Sequence, residues 1–454
     1  MTQGSAFGTN AVAARVIARV ISAVIARVIV AFVISSPLLR LAAAADPGSI
    51  TPWRSQEPTG PLQATIDRLT PGEYLRLPKG VLFGPIVVRT SSVTIDGGGD
   101  AVIDARGHGS VVVVEANGVT LRGLTIRGSG ESNPDVDAGI SLRSVDASVV
   151  DGCRLEDVLF GIDVSQGTHV TIRNSEISSK DFEPTMRGDA IRVWSSSDVL
   201  VQGNHWHDAR DAVSWYSERV TFSRNRGERS RYSVHSMYTK SLMVSNNTFE
   251  DNSVGVFVMY GLGTTVLGNT VQRSSGVTGI GLGLKETSGV YANGNTFVYC
   301  AVGVLVDNSP WEPNTRNWFR NNHIAFNGVG IMLANDRAGN EFFRNTFRAN
   351  RIDVDTEQRR RSPGQWLENT WDTYEGLDRD ADGFGDVPHV PRKFGDLLTG
   401  EHPTAQFFVG APVLTLINII ERLVPITEPI VLLEDPRPRM SRASFGLAAG
   451  DLAK

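Results

Sequence analysis

The sequence predicts an all-β fold, a right-handed parallel β-helix of about twelve coils with a short helical or extended segment at its C-terminal end. Three observations lead there. Nine asparagines (Asn174, Asn204, Asn225, Asn247, Asn269, Asn295, Asn322, Asn345 and Asn369) recur at steps of 30, 21, 22, 22, 26, 27, 23 and 24 residues. Most open one phrase, as in Asn247-Thr248-Phe249, Asn295-Thr296-Phe297, Asn345-Thr346-Phe347 and Asn369-Thr370-Trp371. Ahead of them lie short β-rich stretches led by a small residue, such as Gly139-Ile140, Ala190-Ile191, Ala212-Val213, Gly255-Val256 and Gly330-Ile331. A period in the low twenties that tolerates insertions belongs to a solenoid in which each repeat is one coil. Identical asparagines at one coil position can stack amide on amide. The residue two places later (Trp206, Phe249, Val271, Phe297, Ile324, Phe347, Trp371) then forms an inward column. A leucine-rich repeat has a similar period but needs a regular leucine frame, which is absent.

Taken in order, residues 1–45 read as an export signal or N-terminal anchor. Arg15, Arg19 and Arg27 precede the apolar run Val28 to Ile34, and Ala42 to Ala45 offer small residues for cleavage near Asp46. Arg40 lies late in this region, which keeps an uncleaved anchor open as well. Either way the body is placed outside the cytoplasm, in the periplasm or an equivalent compartment. The net charge is −5, and these 45 residues hold four arginines and no acid, so the body alone carries −9. With six lysines in the chain, that balance argues against nucleic acid and against a basic membrane-surface patch.

Residues 46–91 are read as an N-terminal cap region and 92–371 as the β-helix, which opens with the degenerate coils Val93 to Gly99 and Val119 to Leu124. At ~4.8 Å per stacked strand, a dozen coils make a rod roughly 55–60 Å long. Cys153 and Cys300 lie about six coils, or roughly 29 Å, apart, beyond disulfide reach, and are expected as buried thiols.

Residues 372–392 hold an acidic loop. Asp378, Asp380 and Asp382, with Gly383 for the tight turn and Asp386 at the ninth position, match the front half of a Ca²⁺ loop. His389 stands where an EF-hand places its bidentate glutamate, so a solvated acidic turn is the competing reading. In 393–454, Pro412 to Leu423 reads as a helix followed by a proline-punctuated tail. A dozen residues fall short of the ~17 that a membrane span needs. The helix either caps the open end of the solenoid or docks on a partner through Leu416, Ile420 and Leu423.

The outward coil faces hold the candidates for chemistry. A glycosidase needs paired carboxylates at a defined separation, and no Asp-Asp pair occurs in the chain. Gly107-His108-Gly109 has no acidic partners beside it. Asp189 and Asp211 fall one coil apart with Arg192 nearby, though aspartate at a coil corner is ordinarily a turn residue. His205-Trp206-His207 turns two imidazoles to one face with Trp206 inward, an arrangement able to chelate a metal and equally compatible with plain surface histidines. Strand alternation turns Trp194, Met237 and Met259 outward, with Tyr216 joining from the intervening coil and His235 beside Met237. Two stacked thioethers and an imidazole suit Cu(I). The alternative is that the methionines pack beneath a loop or the C-terminal segment.

The phrase Asn369-Thr370-Trp371-Asp372-Thr373-Tyr374-Glu375-Gly376, running into Asp378 to Pro388, resembles the C-terminal signature of NosD-type nitrous oxide reductase maturation proteins. His235-Ser236-Met237-Tyr238-Thr239, Val258-Met259-Tyr260 and Gly281 to Lys285 are similar to that family's mid-solenoid phrases, and Phe407-Phe408 and Asp435 to Met440 to its closing segment. The resemblance implies an exported accessory protein, not a hydrolase. It would work at the membrane periphery with an ABC transporter and a copper chaperone, and assist assembly of the copper–sulfide centre of nitrous oxide reductase in denitrification. The chain departs from the family pattern in its arginine-interrupted signal, at His389, where an aromatic is expected, and at Arg437 and Arg439. Two classes therefore stay open: a metallocentre assembly scaffold, and a carbohydrate-active β-helix enzyme of polysaccharide lyase or epimerase type.

Overall fold

The computed structural model describes residues 60–276, 278–356, 360–393 and 430–440. The expected export signal (1–45) and the helix from Pro412 to Leu423, with Leu416, Ile420 and Leu423, lie outside the described residues. Within them the chain is a right-handed parallel β-helix of about 13 turns. One face stacks twelve strands, from Ile86–Val88 to Ile352–Thr356. The second and third faces join into one 24-stranded sheet. The second runs from Tyr74–Arg76 to Gln365–Leu367, the third from Gly80–Phe83 to Thr370–Trp371. Pairing between coils is parallel throughout.

The first coil begins at Tyr74, inside the segment read from sequence as a cap. Its strands Tyr74–Arg76, Gly80–Phe83 and Ile86–Val88 carry no asparagine phrase, so periodicity could not reveal them. The cap is shorter, a helix at Pro61–Ile66 that buries Leu62 and Ile66 against the open end. Its Gln63 donates to the Val87 carbonyl (3.0 Å) and accepts from the Val87 N–H (2.8 Å). It thus pairs backbone groups that the first strand of the long face would otherwise leave open as a sheet edge.

Each coil is locked at the corner between its second and third strands. From Asn204 to Asn369, each Nδ2 donates to the Oδ1 of the asparagine one coil on, at 2.9–3.2 Å. Each Oδ1 also takes the backbone N–H of the asparagine one coil back, as from Asn204 to Asn225 (2.9 Å). The second Nδ2 hydrogen goes to a strand carbonyl, as Asn247 does to Phe222 (3.0 Å). Asn174, expected as the first rung, is not in the ladder. It is exposed, sits at φ 54°, and donates to Asp151. Pairing of Glu176 with both His205 and Arg154 puts Ser175 and Cys153 at the ladder position instead. Asn174 fills the left-handed position just before it, as Asn246 and Asn321 do further along. Asparagine is favoured at both kinds of site, which is why spacing alone confused them.

The expected inward column is buried from Trp206 to Trp371. The coil missing from it carries Gly227, where a Cβ would come within 2.6 Å of Trp206 Nε1. Glycine there lets the indole reach Phe249, with ring centres 6.1 Å apart. Cys153 and Cys300 are free and buried, as expected, and burial pushes the Cys153 thiol up to about 12.

At the last coil the ladder ends on a carboxylate. Asp435, fully buried, accepts from the Glu368 N–H (3.1 Å), from Asn369 N (2.9 Å) and Nδ2 (3.0 Å), and from Trp371 Nε1 (3.2 Å). His389 pairs with Asp435 through both backbone groups at 2.9 Å and lies against Trp371, ring centres 4.8 Å apart. It thereby fills the aromatic slot expected at its position. Burial lowers its imidazole to about 4.

Candidate functional site

On the long face the outward side chains form two neighbouring rows. Strand register aligns Ser165, Trp194, Trp215, Met237, Met259 and Lys285 in one row, and Asp163, Arg192, Val213, His235 and Phe257 in the other. Met237 and Met259 are therefore direct neighbours across one strand pair, about 4.8 Å apart at the backbone. Both are partly exposed.

Tyr216 does not join this row. Ile191 pairs with Ala212 rather than Val213, and an irregularity between Asp211 and Val213 takes up the offset against Tyr232 to His235. Trp215 takes the place expected for Tyr216. Tyr216 begins the following corner at φ 52° and stacks on Tyr238, which stacks on Tyr260, with ring centres 5.1 and 4.8 Å apart.

His235 is only 8% exposed. Its Nδ1 lies 3.2 Å from Asp211 Oδ2, its ring stacks on Tyr232 (4.6 Å), and Trp215 meets it edge-on (5.5 Å). Assigned from that partner, Nδ1 carries the proton and Nε2 keeps its lone pair. This is the orientation that metal-binding histidines adopt when a carboxylate holds their other nitrogen. Sequence reasoning treated Asp211 as a turn residue or a catalytic acid and missed this role; its signal was the offset of one coil from His235.

The acids considered for catalysis, Asp189 and Asp211, are both engaged by guanidinium groups, as is Asp163 on the long face. Asp163 pairs with Arg192 (2.6 Å), Asp189 with Arg210 (2.9 and 3.2 Å), and Asp211 with Arg231 (3.0 and 2.5 Å). Arg231 and the His235 hydrogen bond together hold the Asp211 carboxyl well below the usual range against its burial. A general acid or nucleophile of the glycosidase kind would need such a group released from its partner.

Near the C-terminal end, Asp378, Asp380 and Asp382 bring carboxylate oxygens within 4.8 Å of one another. Asp386 stands apart from the three, accepting the Arg379 N–H at 2.8 Å. Arg437 lies 3.0 Å from Asp382 and stacks on Phe384 at 3.7 Å. That contact gives a structural place to a residue that departs from the expected family pattern.

Fold and site together define a class: a β-helix scaffold whose interior is devoted to stacking and whose chemistry lies on outward strand faces. Comparison with known proteins refines this. Residues 109–226 match the family described as right-handed β-helix region, and residues 173–376 match the family described as periplasmic copper-binding protein (NosD). Two relatives carry the name probable ABC transporter binding protein NosD. That of Pseudomonas aeruginosa is 28% identical over 377 residues, covering 76% of this chain and 83% of its own. That of Stutzerimonas stutzeri is 25% identical over 419 residues, covering 85% and 88%. The chain is thus similar to NosD proteins over most of its length. Among solved structures it is similar to the A-module of the Azotobacter vinelandii mannuronan C-5 epimerase AlgE6, with 14% identity and TM-score 0.47, covering 69% of this chain and 94% of that one. It is also similar to the periplasmic alginate epimerase AlgG, with 10% identity and TM-score 0.45, covering 60% and 83%.

Proposed function

We propose that this protein is exported to the periplasm and acts there, with an ABC transporter and a copper chaperone, as an accessory factor in assembling the copper–sulfide centre of nitrous oxide reductase. Copper in this reading is cargo, held in passing as Cu(I) by Met237, Met259 and His235. The observation that carries it is the pairing of Met237 with Met259 on adjacent strands, beside an imidazole already oriented by Asp211. Thioethers carry no charge and select a soft ion over Zn²⁺. Their flexibility lets two sulfurs approach one ion without moving the strands. The described closing segment, 430–440, contacts the last coil and not the methionines.

Docking on the transporter is assigned to Leu416, Ile420 and Leu423 of the helix expected at Pro412–Leu423. Truncating the chain ahead of that helix would also remove Asp435 and open the ladder. The cleaner test replaces Leu416, Ile420 and Leu423 with aspartate and asks whether the transporter still co-purifies.

Copper is tested by a Cu(I) competition titration on a Met237→Ala, Met259→Ala double variant beside a melting curve. Weaker uptake with an unchanged melt supports the site. Unchanged uptake with a lowered melt means that the methionines are packing residues. At the level of the cell, deleting the gene should leave reductase lacking only its catalytic copper–sulfide centre; fully loaded reductase would refute the assignment.

A further inference from the structure

The third face holds a second constellation, which shares no residue with the copper reading. His205 and His207 point outward from one strand on either side of the buried Trp206, ring centres 5.1 Å apart. Strand register sets Glu176 beside His205 on the preceding coil and Glu228 beside His207 on the following one. The close approaches run along the diagonals. His205 Nε2 lies 3.4 Å from Glu228 Oε1, and His207 Nε2 lies 3.8 Å from Glu176 Oε1.

The surroundings prepare these four atoms and leave them incompletely used. His207 Nδ1 is held by Asp208 Oδ2 at 2.8 Å, which directs the Nε2 lone pair toward the glutamates. Arg154 takes Glu176 Oε2 (2.8 Å), and Arg229 takes Glu228 Oε2 (2.8 Å), so in each glutamate the other oxygen faces the imidazoles. His205 Nε2 and Glu228 Oε1 are both buried without a hydrogen-bond partner. Arg226 Nε lies against Glu228 Oε1 but lacks the alignment of a hydrogen bond. Buried polar atoms are rarely left this way, because each loses its water without gaining a partner.

We propose that His205, His207, Glu176 and Glu228 form a binding site for a divalent transition-metal ion of the Zn²⁺ or Cu²⁺ class. Two imidazoles and two carboxylates without sulfur suit borderline divalent ions and not Cu(I), so this site is chemically distinct from the methionine pair. No three of the four ligand atoms lie within 4.8 Å of one another, so occupancy requires the side chains to draw together and Arg226 to swing away from Glu228 toward solvent, where its half-exposed side chain already lies.

The test uses the full chain, first stripped with EDTA, and Zn²⁺ or Co²⁺ alone as probe. Expected results are one bound ion, a visible Co²⁺ band without sulfur charge transfer, and a melting temperature raised by Zn²⁺. A His205→Gln, His207→Gln variant should bind at least 100-fold more weakly and lose the Zn²⁺ shift. Asp208→Asn, which touches no proposed ligand atom, should cost about tenfold or more. Met237→Ala, Met259→Ala should leave Zn²⁺ binding unchanged. Equal Zn²⁺ affinity in the wild type and the histidine variant overturns the proposal, as does a wild type that gives no Co²⁺ band. If the histidine variant fails to fold, the two imidazole resonances of the wild type followed by NMR decide. Both must respond at one equivalent of Zn²⁺, and a titration that leaves either unmoved overturns the site.

Discussion

Replacing Asn247 with leucine removes one rung from the middle of the amide ladder, and the structure shows what is lost. The Asn247 Oδ1 accepts from Asn225 N (2.8 Å) and Asn225 Nδ2 (3.0 Å), and its Nδ2 donates to the Phe222 carbonyl (3.0 Å) and to Asn269 Oδ1 (2.9 Å). Asn225 keeps a bond from its other Nδ2 hydrogen to Val201, and Asn269 keeps the Asn247 N–H, so the neighbours are only partly stripped. The Asn225 N–H and the Phe222 carbonyl lose these side-chain partners in a corner that water does not reach. The Phe222 carbonyl keeps its ladder bond from the neighbouring strand, so the Asn225 N–H is the group left unpaired, and the change costs about 1–3 kcal/mol. Leucine has the same branched skeleton as asparagine and is bulkier, so no cavity opens. Because solenoids need not unfold in one step, amide hydrogen exchange on the coils around Phe222 and Asn269 should accompany the melting curve. Asn174→Gly is the control: its side chain is exposed and glycine accepts its φ of 54°, so stability should change by less than about 0.5 kcal/mol. A leucine variant that melts and exchanges like this control would refute the ladder as a source of stability.

Asp435→Ala should fray the last coil, since the Asn369 and Trp371 donors lose their acceptor; faster exchange confined to the coils near Asn345 and Asn369 would show it, and a uniform loss would not. Acid should destabilise the same end. His389 is lowered to about 4 in the fold from 6.5, so between these values the unfolded chain binds the extra proton and stability falls as pH falls. His389→Phe keeps the ring against Trp371 and should flatten that part of the profile. Ca²⁺ bound by Asp378, Asp380 and Asp382 should stabilise the fold by about 2.7 kcal/mol at a hundred times the dissociation constant and so raise the melting temperature relative to EDTA; identical melts would make the loop a simple turn.

The parts of the fold legible in the sequence were those in which one residue type does one job in every coil. Eight of the nine asparagines occupy the ladder, and the apolar residue two places on is inward at every coil but that of Gly227. The rest failed for identifiable reasons. The corner between the first and second strands uses hydroxyls in the same way, as Gly167 on Ser196, Ser196 on Ser217 and Thr287 on Ser309 show, but serine and threonine are too frequent to stand out as a period. The slip from Trp215 to Tyr216 came from a one-residue irregularity, to which a period-two pattern is fully sensitive. Asp435 was unreadable because its partner, Asn369, lies 66 residues away across a different kind of structure. For the candidate sites, residue type was visible but the partners that orient them were not. Asp211 behind His235, and Asp208 behind His207, emerge only when coils are stacked in register or the side chains are placed.

The ladder has a direction. Every side-chain amide from Asn204 to Asn369 points its oxygen toward the coil before and its nitrogen toward the coil after. Aligned amide dipoles add, as they do along a helix. The corner therefore behaves as an axial dipole embedded in the rod, positive at the end where the chain places the Asp435 carboxylate. That arrangement is the counterpart of an acidic N-cap, with the charge answered by oriented N–H groups. It also means that whole coils can be added or lost from the middle without altering what either end requires. A reversed amide anywhere along the row would set two like ends against each other. Growth by repetition, with a single negative terminus kept in place, is thus built into the electrostatics of this solenoid.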